Sequence, residues 1–406
     1  MSLLKSTFLT SRFFGLLPLE IVSNDDSVVV KLSKKFTLYS IFLGLALGGF
    51  SSYGVYVDMT LDCNSSIRMS HPSSRYITLC DMCFVIFIGV EIILVSFVRG
   101  SKVVQFVREL NKVETIIPNT ELKVDQKRCK IFKIVILTVF NAIILLDILF
   151  WGHVSMKKQG LWVFFKNFFA FYLLYEIIVM HLILNWHMIY SVNAKLRTLN
   201  SILEEDLQFC KRTVCNQYGC YRIVHPNDNK SRMNLENMLM EKANYNFSVS
   251  RIMALTNAYF KICKCVEKIN RYNGLSLVLL LVNCIVHLVE TPYFFLTEIG
   301  NNGMIIQILL KFVWILMHSI ILCVIVEPCQ SCLNQYKHTV RLICELLTCD
   351  FQQEVSEQIN LFLFTISNCK VKFYLSGLVE INRSVLASVA GVVTTYLVIV
   401  FQFIDP

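Results

Sequence analysis

Seven apolar stretches, each about the length that carries a helix across a hydrocarbon core of roughly 30 Å, set the terms for everything else in this chain. They run Phe36–Val57, Tyr76–Val98, Ile131–Trp151, Leu161–Leu184, Leu275–Thr297, Met304–Val326 and Val385–Phe403. In lipid a backbone must satisfy its own N–H and C=O groups, so stretches of this kind fold as helices. The chain is 55% hydrophobic and only 17% charged over 406 residues, more apolar surface than one soluble core uses. It reads as an integral membrane protein of the all-α class with seven transmembrane helices. Met1 to Leu19 carries Lys5 and Arg12 around short apolar runs and no small-residue cleavage site, so the first span is expected to act as its own insertion signal.

Lysine and arginine orient the spans. With the N-terminus inside, the inner segments hold 32 of the 38 basic residues and the outer loops hold four, Arg68, Arg75, Lys157 and Lys158. Leaving out the long inner loop still gives 19 against four. The N-terminus is therefore expected in the cytoplasm and the C-terminus outside. A G-protein-coupled receptor threads the other way, and the chain also lacks D-R-Y after the third span and N-P-x-x-Y in the seventh.

This threading divides the chain. Residues 1–35 form a cytoplasmic N-terminal segment, with Lys31, Lys34 and Lys35 as inner-face anchors rather than nucleic-acid contacts. Residues 36–190 hold spans one to four, and 191–274 a cytoplasmic loop with helices. Residues 275–326 hold spans five and six, 327–384 further cytoplasmic helices, and 385–406 the last span. Amphipathic stripes such as Leu333, Tyr336, Val340, Ile343 and Leu347 predict long helical extensions of the spans that pair into a cytoplasmic anchor bundle. Asn64-Ser65-Ser66 is the one glycosylation sequon this topology places outside.

Most of the 16 cysteines fall on the reducing side and are expected as free thiols. Cys329-x-x-Cys332 has no second pair at zinc spacing, so neither a metal nor a cofactor is expected.

Ionisable residues at bilayer depth are costly and face a bundle interior or a wet cavity. Asp81, Asp147, His287, Glu290 and Gln307 fall in the outer half of their spans, with Trp162, Phe169, Tyr172 and Trp314 at similar depth. Glu91, Glu176 and His318 lie deeper. Aromatic walls with a few acids suit a small polar or amphiphilic ligand, although each ring taken singly also reads as interfacial belt or core. Glu290-Thr291-Pro292 hints at a broken helix, the one feature that favours a transporter driven by intramembrane acids.

The last span carries Ser384, Ser388, Gly391, Thr395 and Gln402 at spacings that stack on one helix face. Such a stripe either packs on neighbouring helices or borders water. Thr395-Tyr396, five hydrophobic residues, then Gln402-Phe403 resembles the TYhhhhhQF ending of insect gustatory receptors. The resemblance implies a ligand-gated, non-selective cation channel in the plasma membrane of chemosensory neurons, a homotetramer or a hetero-oligomer with related receptors. It implies that monovalent and divalent cations pass a pore lined by the last helix, among membrane lipids, with Ser384, Ser388, Thr395, Ile399, Gln402 and Phe403 as pore and gate residues. The outer cluster then becomes the tastant site. Its aromatic content tilts the expected ligand toward bitter or plant-derived compounds, with sugars or polyols as the alternative. An odorant receptor of the same superfamily is a further reading that the Tyr396/Gln402 spacing disfavours.

Overall fold

The structure, a computed structural model, describes the chain except for residues 1, 25–26, 70–74, 119–121, 218–248, 301–304, 350 and 405–406. Helix α1 (Ser2–Phe13) leads through a hairpin, β1 (Leu19–Asn24) with β2 (Ser27–Leu32), into α2 (Lys34–Thr60), α3 (Arg75–Ile116), α4 (Leu122–Lys158) and α5 (Leu161–Gln217). Beyond the undescribed part of the large inner loop come α6 (Val249–Gly300), α7 (Ile305–Leu346), α8 (Gln353–Asn368), a two-residue hairpin β3 (Tyr374–Leu375) with β4 (Val379–Glu380), and α9 (Arg383–Ile404). Six of these helices are long and apolar enough to cross a membrane, and α9, at 22 residues, reaches about 33 Å.

The helices outrun the hydropathy windows at their inner ends, because the apolar stripe continues beyond the lipid and packs there on neighbouring extensions. On α5 and α7, Asn200 Nδ2 donates to Gln335 Oε1 (2.9 Å) and Thr339 Oγ1 to Asn200 Oδ1 (2.7 Å). Arg251 of α6 pairs with the fully buried Asp206 of α5 at 2.8 Å. Tyr259 donates to the Cys369 carbonyl at 2.6 Å, which ties α6 to the end of α8. Burial pushes the Cys210 thiol in this layer up to about 12, so it stays protonated. The apolar spacing also predicts a stripe from Leu235 and Leu239 into α6, and those two positions lie outside the described residues.

Residues 1–35 add detail of their own: they hold a helix and a hairpin, and Leu16 and Leu17 are fully buried. Ser96 of α3 donates to the Gly15 carbonyl and Tyr272 of α6 to that of Leu16, so this turn wedges between spans. A sequence expectation is corrected: the Glu290-Thr291-Pro292 break is absent, since α6 runs through Pro292 to Gly300. The surrounding span packing holds the turn in which the proline ring removes one backbone hydrogen bond.

Helix α2 lies so close to α5 that a Cβ at Gly54 would overlap the Asn167 carbonyl oxygen. That approach brings the loop after α2 over the outer end of the bundle.

Candidate functional site

The outer cluster is built around a residue that the sequence places in a loop. Asp58, at the end of α2, accepts from the Ile67 amide (2.7 Å), the Arg68 amide (3.0 Å) and the Ser66 hydroxyl (3.0 Å). This cap folds residues 61–69 inward and buries Ile67 and Met69 completely. Arg68 then points into the bundle. Its guanidinium pairs with Asp147 of α4 at 2.8 Å, meets the Tyr172 hydroxyl, and lies 5.2–5.4 Å from the ring centres of Trp151, Phe168, Phe171 and Tyr172. A delocalised cation suits such a box, since rings stabilise it through their faces while one carboxylate neutralises it.

Asp147 is shared. Besides Arg68 it accepts from the Tyr172 hydroxyl at 2.6 Å and from Trp314 Nε1 of α7 at 3.1 Å, so one carboxylate joins α4, α5, α7 and the outer loop. Trp314 leads to a second group: its ring centre is 5.4 Å from Tyr175 and it stacks toward His287, which lies against His318 at 3.9 Å. His287 Nε2 stands 2.8 Å from Asp81 Oδ1 of α3. His318 Nδ1 donates to the Trp314 carbonyl at 2.9 Å, while its Nε2 is buried without a partner.

Of the ligand residues named from sequence, Asp81, Asp147, Tyr172, His287 and Trp314 thus meet in one connected layer across α3 to α7. Glu290, half-buried, is one turn beyond His287 on the same helix, and Gln307 is half-buried near the start of α7. Trp162 and Phe169 do not join them. They are 79% and 55% exposed on the outward side of α5, whose inward face carries Phe164, Phe168, Phe171 and Tyr175. Sequence reasoning missed Arg68, Tyr175 and the placement of His318, which sits beside His287 rather than deeper. The available signal was Asp58 followed at eight to ten residues by the Ser66 to Arg68 segment it caps.

The last helix shows a second arrangement. Val385 and Val389 are buried against α6 and α7, and Arg383 clamps Glu327 of α7 through two hydrogen bonds of 3.0 and 2.9 Å. Ser384, Ser388, Gly391, Thr395, Ile399 and Gln402 are exposed, on faces that the chain itself leaves uncovered. The side chain of Phe403 lies outside the described residues. Asn64 is exposed in the outer loop. Among the described residues no group of three His, Cys, Asp or Glu could hold a metal; Cys329 and Cys332 are free, buried thiols that donate to the Ile325 and Ile189 carbonyls.

Seven spanning helices with long inner extensions, a polar layer in the outer half and a final helix whose polar face is uncovered define a chemoreceptor-type membrane protein. The comparisons agree on this class. Residues 4–405 match the family model described as 7tm Chemosensory receptor, and the chain belongs to that family. It is similar to the gustatory receptor for sugar taste 43a of Drosophila melanogaster, at 23% identity over 98% of this chain and 96% of that one. Its fold is that of the insect olfactory receptor OR5 from Machilis hrabei, with a TM-score of 0.70 at 12% identity, covering 98% of this chain and 97% of that one. The same receptor in complex with eugenol superposes with a TM-score of 0.68 at 11% identity over the same shares. The family is one of chemosensory receptors and not of enzymes.

Proposed function

We propose that this chain is a gustatory receptor subunit that forms a cation channel opened from outside by a small tastant. The observation that carries the reading is the orientation of α9: Val385 and Val389 face the chain's own α6 and α7, while Ser384, Ser388, Thr395 and Gln402 are exposed on another side. The Ser384 and Ser388 hydroxyls donate to the Asn382 side chain and the Ser384 carbonyl, but turned toward lipid the Gln402 amide would lose the water it needs as donor and acceptor partner. Four copies around an axis would turn it toward water instead, with Ile399, Gln402 and Phe403 as the constriction. A ring of neutral glutamines selects weakly among monovalent cations.

The ligand site is the outer layer around Asp147, Tyr172, His287 and Trp314, and the ligand class is a sugar or polyol. Carboxylate, guanidinium, phenol, indole N–H and imidazole groups converge there, which is the donor and acceptor supply that vicinal hydroxyls need. The similarity to a sugar-taste receptor along nearly the whole chain supports the same class, whereas the tilt toward bitter compounds has no such support. A plant-derived aromatic is the second reading, favoured by the Phe168, Phe171, Tyr172, Tyr175 and Trp314 rings and by a fold relative solved with eugenol. Ligand binding that separates Trp314 from Asp147 would move α7, on which α9 leans.

The test is current recorded from cells expressing this chain alone under a panel of sugars, polyols and plant phenols. Sugar-evoked cation current that Gln402→Ala alters in gating or permeation is the expected result. Substrate uptake without current, or wild-type current–voltage behaviour in Gln402→Ala, overturns the channel reading.

A further inference from the structure

Between α2 and α3 lies a cavity of 680 Å³ that opens sideways to the lipid and is separate from the outer polar layer. It exists because α2 presents Gly44, Gly48 and Gly49 where other spans carry side chains. At Gly48 the absent Cβ would stand 2.8 Å from Val90 Cγ2, so the helices touch there, whereas at Gly49 nothing lies within 4 Å. The floor of the cavity is therefore flat backbone beside open space. Tyr56 and Phe87 wall it, each more than half exposed. From Gly44 to Met59 the cavity extends along about 22 Å of helix, from near mid-bilayer to the outer interface.

We propose that this cavity binds one membrane sterol, lying along α2 with its hydroxyl at the outer end. Three features select that occupant. Lipid hydrocarbon surrounds the opening, so the ligand arrives from the bilayer. The polar lining is uncharged, with Ser52 and Tyr56 toward the outer end, and no lysine or arginine lines it to hold a phosphate headgroup. A single hydroxyl at one end of an otherwise apolar molecule matches that pattern. A rigid fused-ring body also loses little conformational freedom against a flat floor, whereas an acyl chain loses a rotamer at each bond. The last helix packs on α6 and α7, and α2 on α3 and α5, so the cavity lies on the side of the subunit remote from the proposed pore.

The experiment uses the full chain in cell membranes, labelled with a photoreactive, alkyne-bearing cholesterol analogue and mapped by peptide mass spectrometry. Labelling within residues 44–59 and 79–90, suppressed by excess unlabelled cholesterol, is expected. Gly49→Phe, which fills open space, is expected to cut labelling about tenfold at unchanged surface delivery. Phe87→Ala, which removes a lipid-facing wall without touching the helix contact, is expected to cut it several-fold and serves if Gly49→Phe does not fold. Labelling confined to other segments, undiminished labelling in both folded variants, or equal labelling of the cavity by a photoreactive phosphatidylcholine that cholesterol does not displace would overturn the assignment.

Discussion

Removing either partner of the Arg68–Asp147 pair should destabilise the protein, and by unequal amounts. The pair is buried, with side chains 10% and 3% exposed. Breaking a buried pair from one side costs about 3–5 kcal/mol, because the surviving charge keeps its desolvation penalty without its partner. Arg68→Ala leaves Asp147 with two donors, the Tyr172 hydroxyl and Trp314 Nε1, and belongs at the lower end of that range. Asp147→Ala leaves a guanidinium whose Nε already has no partner, held by one phenol and four ring faces, and belongs at the upper end. At a specific unfolding entropy of roughly 2 cal/mol/K per residue, these costs correspond to Tm decreases of about 4 and 6 °C for a chain of this length. The assay is thermal melting of detergent-solubilised protein followed by size-exclusion fluorescence. A double variant, Arg68→Met with Asp147→Leu, should recover most of the loss, since apolar replacements of similar volume carry no desolvation penalty. Single variants within 1 °C of wild type, Arg68→Ala more damaging than Asp147→Ala, or a double variant equal to the sum of the singles would refute the reasoning.

Three further outcomes follow from the geometry. Gly54→Ala should lower Tm at least as much as the upper end of the 1–3 kcal/mol typical of overpacking, because the added methyl meets backbone at Asn167 and not a movable side chain; a melting curve checks this. Peptide-N-glycosidase treatment should shift the wild-type protein on a gel and leave Asn64→Gln unmoved if the exposed Asn64-Ser65-Ser66 sequon is used. Glu327→Gln should change Tm by less than about 1 °C, as exposed pairs contribute about 0–1 kcal/mol. The hydrogen bond from Arg383 holds the Glu327 carboxyl below its ordinary range, so the pair's contribution is full at neutral pH and fades as pH falls through the carboxylate range, which melts at stepped pH would trace.

The spans were legible because lipid imposes one rule on twenty consecutive residues, and the final helix was legible in phase because Ser384, Ser388, Gly391, Thr395 and Gln402 repeat at helical spacing. The phase of α5 was not. Its run from Leu161 to Tyr175 is aromatic on every side, so hydrophobicity has no period, and Trp162 and Phe169 look no different from Phe164 and Phe168. Only the pair Lys166, exposed, and Asn167, buried, marks the faces. Arg68 was hidden for another reason: an outer-loop arginine reads as solvated unless the loop's own fold is known, and that fold rests on Asp58, eight to ten residues earlier, together with distant donors from Lys158 and Gln159 that no local pattern announces. The hairpin of residues 19–32 and the wedge at Leu16 escaped because short elements held by distant contacts leave little local pattern.

From Gly391 onward the described side chains of α9 include none that its own subunit buries, although Val385 and Val389 below are fully seated. The upper part of the helix is, in the proposed assembly, an unfinished wall that other copies complete. In the proposed assembly no single subunit owns the narrowest passage; its width is negotiated among all of them. A foreign relative entering the ring would retune conduction for the whole complex without altering a residue of this chain.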